Sequence, residues 1–221
     1  AQRADVGIGD DCAVWTPRPG HQLAFSADML VEGRHFLTTV NPKFLGHKSL
    51  AVNLSDLAAC GASPQAFLLS LSLPRADEAW LSGFSEGLFQ LSELHGCELI
   101  GGDTTQGPLN IAITVMGDTP QGQSILRSGA RVGDDLYVSG HLGDARLALE
   151  AFRGKVSLPQ AVLTWPDAAW SAPHPVSLWA KHFAALPTRW RTSAMACWVI
   201  WDTFSKPAKS ELRLTRSLSP H

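Results

Sequence analysis

An α/β (α+β) fold is predicted by three features of this chain. Short apolar runs of strand length alternate with longer stretches whose apolar residues recur at helical spacing. Glycine-rich turns separate the two kinds of segment. Several of those turns carry an aspartate beside the glycine or a small polar residue, at the end of an apolar run, as in GIGDD (7–11) and IGGDTT (100–105).

Residues 21–25 read as a first strand that ends in the polar turn Ser26-Ala27-Asp28. A helix is predicted over 42–62, where Leu45, Leu50, Val52, Leu54 and Leu57 share one side and Gly61 stops the run. The run AFLLSLSL (66–73) reads as a buried strand ended by Pro74. Residues 77–94 form an amphipathic helix, with Trp80, Leu81, Phe84, Leu88 and Leu91 at three-to-four spacing and Asp77 placed to cap it. His95-Gly96 closes that helix, and 98–100 leads as a strand into Gly-Gly-Asp-Thr-Thr. Strands are also expected at 109–117 and 136–139, with turns at 132–135 and 140–143. A helix begins at 144 and runs to 152.

With 221 residues, 45% of them hydrophobic, and a mean hydropathy of +0.01, the composition is that of a water-soluble globular protein. No apolar run approaches membrane-spanning length, so no membrane partner is expected. The opening residues do not read as a signal peptide, and no initiator Met is present. A net charge of −2 supplies no electrostatic case for nucleic acid. Cys12, Cys60, Cys97 and Cys197 lack zinc-type spacing; three lie in apolar or small-residue runs, as reduced thiols do in the cytosol, so a cytoplasmic location is expected.

The aspartates carry the chemistry. Asp10, Asp11, Asp28, Asp56 and Asp103 stand beside glycines or small polar residues. Magnesium prefers oxygen ligands and is usually held by a few carboxylates together with substrate phosphates. Glycines after a strand let phosphate approach the backbone amides. Each motif has an ordinary alternative: a plain turn with a helix cap for 101–105, a turn for 7–11, and a solvated charge for Asp56. Asn53 and Ser55, however, make that segment unusually polar for a buried face. Arg127 is either a phosphate contact, through its fork of donors, or a surface arginine. His35, beside Phe36, is either structural or a ligand contact. No Walker-type Gly-Lys-Thr loop, kinase-type His-Arg-Asp set or Gly-x-Ser-x-Gly elbow is present.

Taken in order, GIGDDCA (7–13), SADMLVEGRHF (26–36), KSLAVNLSDLAA (48–59), IGGDTT (100–105) and LRSG (126–129) resemble the bacterial thiamine-monophosphate kinases. The likeness runs from about residue 6 to about residue 155. The wider superfamily includes aminoimidazole ribonucleotide synthetase, selenophosphate synthetase and a hydrogenase maturation factor.

The resemblance implies an N-terminal mixed-sheet dimerisation domain of the aminoimidazole ribonucleotide synthetase type, followed by an incomplete second α/β domain. It also implies transfer of the ATP γ-phosphoryl group to thiamine phosphate, with several Mg2+ ions, in a cytoplasmic homodimer. By motif, Asp11, Ser26, Asp28, Asp56 and Asp103 would hold magnesium, and Asp10 is a further candidate. Gly102, Asp103 and Arg127 would contact ATP, and His35 would contact thiamine phosphate. The alternatives are a non-catalytic magnesium–nucleotide-binding fragment and another ATP-using synthetase of the superfamily. Ala27 stands where the family usually has Thr, and the family's Gly-Glu-Phe opening is not found before Ala1.

The implied domains are 1–135, for nucleotide and metal binding and dimerisation, and 136–164, the start of a second domain. The remainder, 165–221, departs from the family. It carries Trp165, Trp170, Trp179, Trp190, Trp198 and Trp201, has little periodicity, and lacks the second-domain motifs Asp-Val-Ser-Asp-Gly-Leu and Gly-Gly-Glu-Asp-Tyr. With suitable synonymous codons, the stretch 190–204 read from the third base of its first codon yields ADVSDGLLGDLGHI, the wording expected of that second domain. Residues 165–221 are therefore expected to be out of frame and poorly structured, and activity of this copy to be impaired.

Overall fold

The computed structural model describes residues 4–126, 128 and 144–157. Its elements are β1 (His21–Val31), α1 (Pro42–Ala59), β2 (Ser63–Leu73), α2 (Glu78–His95), β3 (Glu98–Gln106), β4 (Asn110–Pro120) and α3 (Asp144–Phe152). The four strands form one mixed sheet in the order β1-β4-β2-β3. β4 is antiparallel to both β1 and β2, while β2 and β3 are parallel and joined through α2. The expected α/β class with a mixed sheet is the one observed. Arg127, the expected strand 136–139 with its two flanking turns, and the tail 165–221 lie outside the described residues.

The helix expected over 42–62 ends at Ala59, the strand expected from 66 begins at Ser63, the strand expected to 117 runs to Pro120, and two boundaries move further. β1 does not end at residue 25 but continues to Val31, so Ser26 and Asp28 are strand residues. The cause is the alternation Phe25, Ala27, Met29, Val31, which keeps pairing with β4 as far as Asn110. β3 likewise carries the whole Gly101–Thr105 motif, because β2 pairs along it to Gln106. Asp28 and Asp103 thus sit within strands rather than in the loops beyond them.

The helices form as their sequences dictate. Asn41 caps α1 by accepting from the Lys43 amide, Pro42 opens its first turn, and Gly61 follows the last turn. Asp77 caps α2 by accepting from the Trp80 amide, and Gly96 ends it in the left-handed conformation. Both helices lie on one face of the sheet. Leu45, Leu50, Leu54 and Leu57 of α1 and Phe84, Leu88 and Leu91 of α2 meet Phe67, Ile111, Ile113 and Val115 in the main core. α1 and α2 approach very closely. A Cβ on Gly87 would stand 1.8 Å from the Lys43 carbonyl oxygen, and one on Gly46 would stand 2.0 Å from that of Phe84.

The other face of the sheet is partly covered by the N-terminal segment. The amides of Asp5 and Val6 bond the Val14 carbonyl, and the Val14 amide bonds Val6 in return. Ala4, Ala13 and Trp15 then pack on Ala66, Leu68, Ile100 and Met116. Arg18 fastens the segment by a two-pronged ion pair to Asp118, whose side chain is fully buried and also accepts from Gln65 at 3.0 Å. Beyond this cover, β1 exposes Leu23, Phe25, Met29 and Val31 on its outer side.

Candidate functional site

α1 runs antiparallel to β1, and the two elements meet through polar contacts at three levels. Asp56 accepts from the Ser26 hydroxyl at 2.5 Å. One helical turn earlier, Asn53 Oδ1 accepts from the Asp28 amide at 3.1 Å while its Nδ2 donates to the Ser49 carbonyl at 2.9 Å. Further back, Lys48 Nζ donates to the His35 carbonyl at 2.8 Å. A helical stripe of Lys48, Asn53 and Asp56 thus reads along His35, Asp28 and Ser26 in reverse order. The reversed order follows from the antiparallel run of α1 and β1, with the turn after Val31 folding His35 back towards Lys48.

The electrostatics of this cluster are those of an uncompensated acidic pair. The Asp28 carboxyl is raised above its ordinary value, first by burial, next by the negative charge of Asp56; His35 acts in the opposite direction. Lys48 is buried, which pulls its ammonium down to about 8. Ser26, Asp28 and Asp56 present oxygen atoms only. Hard, oxygen-only donors beside a carboxyl raised by a like charge suit a small divalent cation such as magnesium.

His35 sits on the exposed turn after β1. Its own amide and that of Arg34 bond the Val31 carbonyl, at 2.9 and 3.1 Å, and the Gly33 amide bonds Phe36 at 2.9 Å. Phe36 anchors the turn in the core. The Val31 amide donates to His35 Nδ1 at 3.0 Å. A backbone N–H can only donate, so in the neutral ring the proton resides on Nε2.

The remaining candidates lie elsewhere. Asp10 and Asp11 are exposed in the N-terminal segment, where Asp10 accepts from the Asp11 amide at 2.7 Å. Gly102 and Asp103 are exposed on β3. Gly102, at φ 153°, runs so close to β2 that a Cβ would stand 1.9 Å from the Leu69 carbonyl oxygen, which only glycine tolerates. Asp103 occupies the register row of Met29, Ala112 and Ser70, next to the row of Asp28, Ile113, Leu69 and Gly102. Adjacent rows face opposite sides of a sheet, and β1 and β3 are three strand spacings, about 14 Å, apart. The fold therefore joins Ser26, Asp28, Asp56 and His35 and keeps Asp103 away from them. Among the described residues, no three His, Cys, Asp or Glu side chains gather as a self-sufficient metal cage.

Sequence reasoning assigned no role to Lys48 or Asn53. The signal was present for Asn53, a polar residue within an apolar helical stretch. Lys48 carried none, because a lysine early in a helix reads as a solvated charge.

Residues 9–119 match the family described as AIR synthase related protein, N-terminal domain. The chain is similar to thiamine-monophosphate kinase of Escherichia coli K12, 46% identical over 157 residues, which make 71% of this chain and 48% of that protein. The Bacillus subtilis enzyme of the same name is 41% identical over 149 residues, 66% of this chain and 46% of that protein. The chain thus spans about half the length of the curated relatives it matches. Among solved structures, thiamine-monophosphate kinase from Stenotrophomonas maltophilia superposes with a TM-score of 0.77 at 41% identity, covering 83% of this chain and 60% of that one. AaThiL complexed with AMPPCP and TMP superposes with a TM-score of 0.70 at 30% identity, covering 77% and 55%.

Proposed function

The chain belongs to the AIR synthase related protein family through its N-terminal domain, and on that footing we propose that it is the magnesium- and nucleotide-binding part of a thiamine-monophosphate kinase. The reaction is direct transfer of the ATP γ-phosphoryl group to thiamine phosphate, giving thiamine diphosphate and ADP. The observation that carries this reading is the cluster of Ser26, Asp28, Asp56 and His35 at the α1–β1 seam. It is supported by a structural relative complexed with AMPPCP, an ATP analogue, and TMP.

In this reading Ser26, Asp28 and Asp56 hold one magnesium ion. Magnesium typically takes one or two carboxylates and completes its shell with water and substrate phosphate, so a two-carboxylate site suffices. Asp10, Asp11 and Asp103 engage further ions. Gly102, Asp103 and Arg127 contact ATP. Bound magnesium neutralises and aligns the phosphates, and transfer through a loose transition state needs little else from the protein than positioning. The residues themselves do that positioning. Asn53 fixes the Asp28 backbone. Ser26 orients the Asp56 carboxylate. His35 offers Nε2–H to the acceptor phosphate. The exposed apolar row Leu23, Phe25, Met29 and Val31 on the edge strand is the contact surface of a homodimer, read out by sedimentation velocity. The setting is the cytoplasm. Among the described residues no helix is long and apolar enough to cross a membrane.

Residues 1–135 form the ATP- and magnesium-binding domain and 136–164 begin the second. The departure of 165–221 from the family's second-domain wording makes this copy impaired in turnover. Genomic sequencing across codons 155–170 tests the frame slip. The function is tested by incubating the purified chain with labelled ATP, Mg2+ and thiamine phosphate. Nucleotide binding that requires Mg2+, with turnover far below that of an unshifted family enzyme, is the expected result. Mg2+-independent nucleotide binding, with no response to thiamine phosphate, refutes it.

A further inference from the structure

We propose that Lys48 is a positioning residue for His35, holding the turn after β1 so that the imidazole presents Nε2–H to the phosphate of thiamine phosphate. This rests on the reading of His35 given above. Lys48 is 8% exposed, although it could lie in solvent with little change in helix propensity. Burying an ammonium is costly unless it is well partnered, so a methionine or leucine would pack at this position without that penalty. The ammonium therefore supplies something that a hydrocarbon cannot, and the structure shows a bond to the His35 carbonyl at 2.8 Å.

Elsewhere the backbone of the turn is tied to itself, apart from the Glu32 amide, which reaches the Leu109 carbonyl at 3.5 Å. The Val31 carbonyl takes the Arg34 and His35 amides, and the Phe36 carbonyl takes Gly33. The His35 carbonyl points instead to α1, and Lys48 receives it. Three ties thus fix the residue: its amide bonds the Val31 carbonyl, the Val31 N–H holds the ring at Nδ1, and Lys48 holds its carbonyl. With the backbone held and Nδ1 occupied, the donor nitrogen Nε2 is left for a ligand. Because α1 also carries Asn53 and Asp56, one rigid element sets the position of the acceptor-phosphate contact relative to the Asp28–Asp56 pair.

The test compares the whole chain with Lys48→Met, Lys48→Arg and His35→Ala, titrated calorimetrically with thiamine phosphate and separately with Mg2+–AMPPCP. Lys48→Met is expected to weaken thiamine phosphate at least tenfold and leave Mg2+–AMPPCP within twofold, while Lys48→Arg recovers part of the loss. In the ring 15N–1H spectrum, the single Nε2–H tautomer of His35 is expected to give way to a mixture in Lys48→Met. If Lys48→Met leaves thiamine phosphate affinity unchanged, or weakens both ligands alike, the positioning role is overturned while the His35 reading stands. If the parent chain does not bind thiamine phosphate, or His35→Ala binds it as well as the parent, the His35 reading fails and takes this proposal with it.

Discussion

Replacing Asn53 with Ala removes the side chain that ties α1 to β1 at Asp28. Asn53 is fully buried, and both ends of its amide are used. The Asp28 amide stands opposite Ile113 in the β1–β4 register and also takes the Asn53 oxygen, so it is not left without a partner when Asn53 is removed. Losing the bond to Asn53 costs about 0.5–1.5 kcal/mol. The Ser49 carbonyl loses only its second acceptor bond, since it remains in the α1 ladder, and this adds roughly 0.5–1 kcal/mol. Ala returns about 0.6 kcal/mol of helix propensity. The sum is a destabilisation of about 1 kcal/mol, which in a domain of this size lowers Tm by roughly 3–6 °C. Differential scanning calorimetry reads the shift. Titration with Mg2+–AMPPCP should show weakened affinity, because Asp28 is no longer held. A variant melting within about 2 °C of the parent would refute the claim that Asn53 fixes the seam.

Gly87→Ala gains about 1 kcal/mol of helix propensity, yet the new methyl would collide with the Lys43 carbonyl and force the helices apart. Overpacking of about 1–3 kcal/mol wins, and urea unfolding at equilibrium should show net loss; a stabilised variant contradicts the close crossing. Lys48 sets a pH dependence. Its folded-state value of about 8 lies below the ordinary 10.5, so between those pH values the unfolded chain holds a proton that the folded one has released, and stability rises with pH. Urea melts at pH 7, 8.5 and 10 should show the parent gaining on Lys48→Met by at most on the order of 3 kcal/mol; parallel curves would deny the burial. Arg18→Ala strips the buried Asp118 carboxylate of its cation. Arg18 is itself half exposed, so the loss is about 1–3 kcal/mol rather than the full value of a buried pair, with protease sensitivity rising first in the N-terminal segment. Wild-type stability and protection would mean that the ion pair is not what fastens that segment.

The two long helices were legible because caps, periodicity and stop residues all agreed: Asn41 or Asp77 before the run, leucines at three-to-four spacing, a glycine after. The strands were legible in place but not in extent. Ser26 and Asp28 looked like a turn because polar residues interrupt an apolar run. They are strand residues whose polar side chains meet Asp56 and whose amide meets Asn53, a pairing of elements 25 to 30 residues apart that local pattern does not encode. The same holds for Gly102 and Asp103, kept extended by β2. Sequence reading assigned Asp11, Ser26, Asp28, Asp56 and Asp103 together to magnesium by motif. It did not show that α1 runs antiparallel to β1 and so groups Asp28, Asp56 and His35, nor that Asp103 falls in another row of the sheet. It also passed over Lys48, since burial is a property of the fold and not of the residue type.

The central claim is that the carboxylates at the α1–β1 seam hold the metal that holds the nucleotide. Calorimetric titration of the chain with AMPPCP, with and without Mg2+, repeated on Asp28→Asn and Asp56→Asn, measures this directly. Binding that appears only with Mg2+ and falls at least tenfold in either variant is the predicted result. Equal binding without Mg2+, or with either carboxylate neutralised, would contradict it.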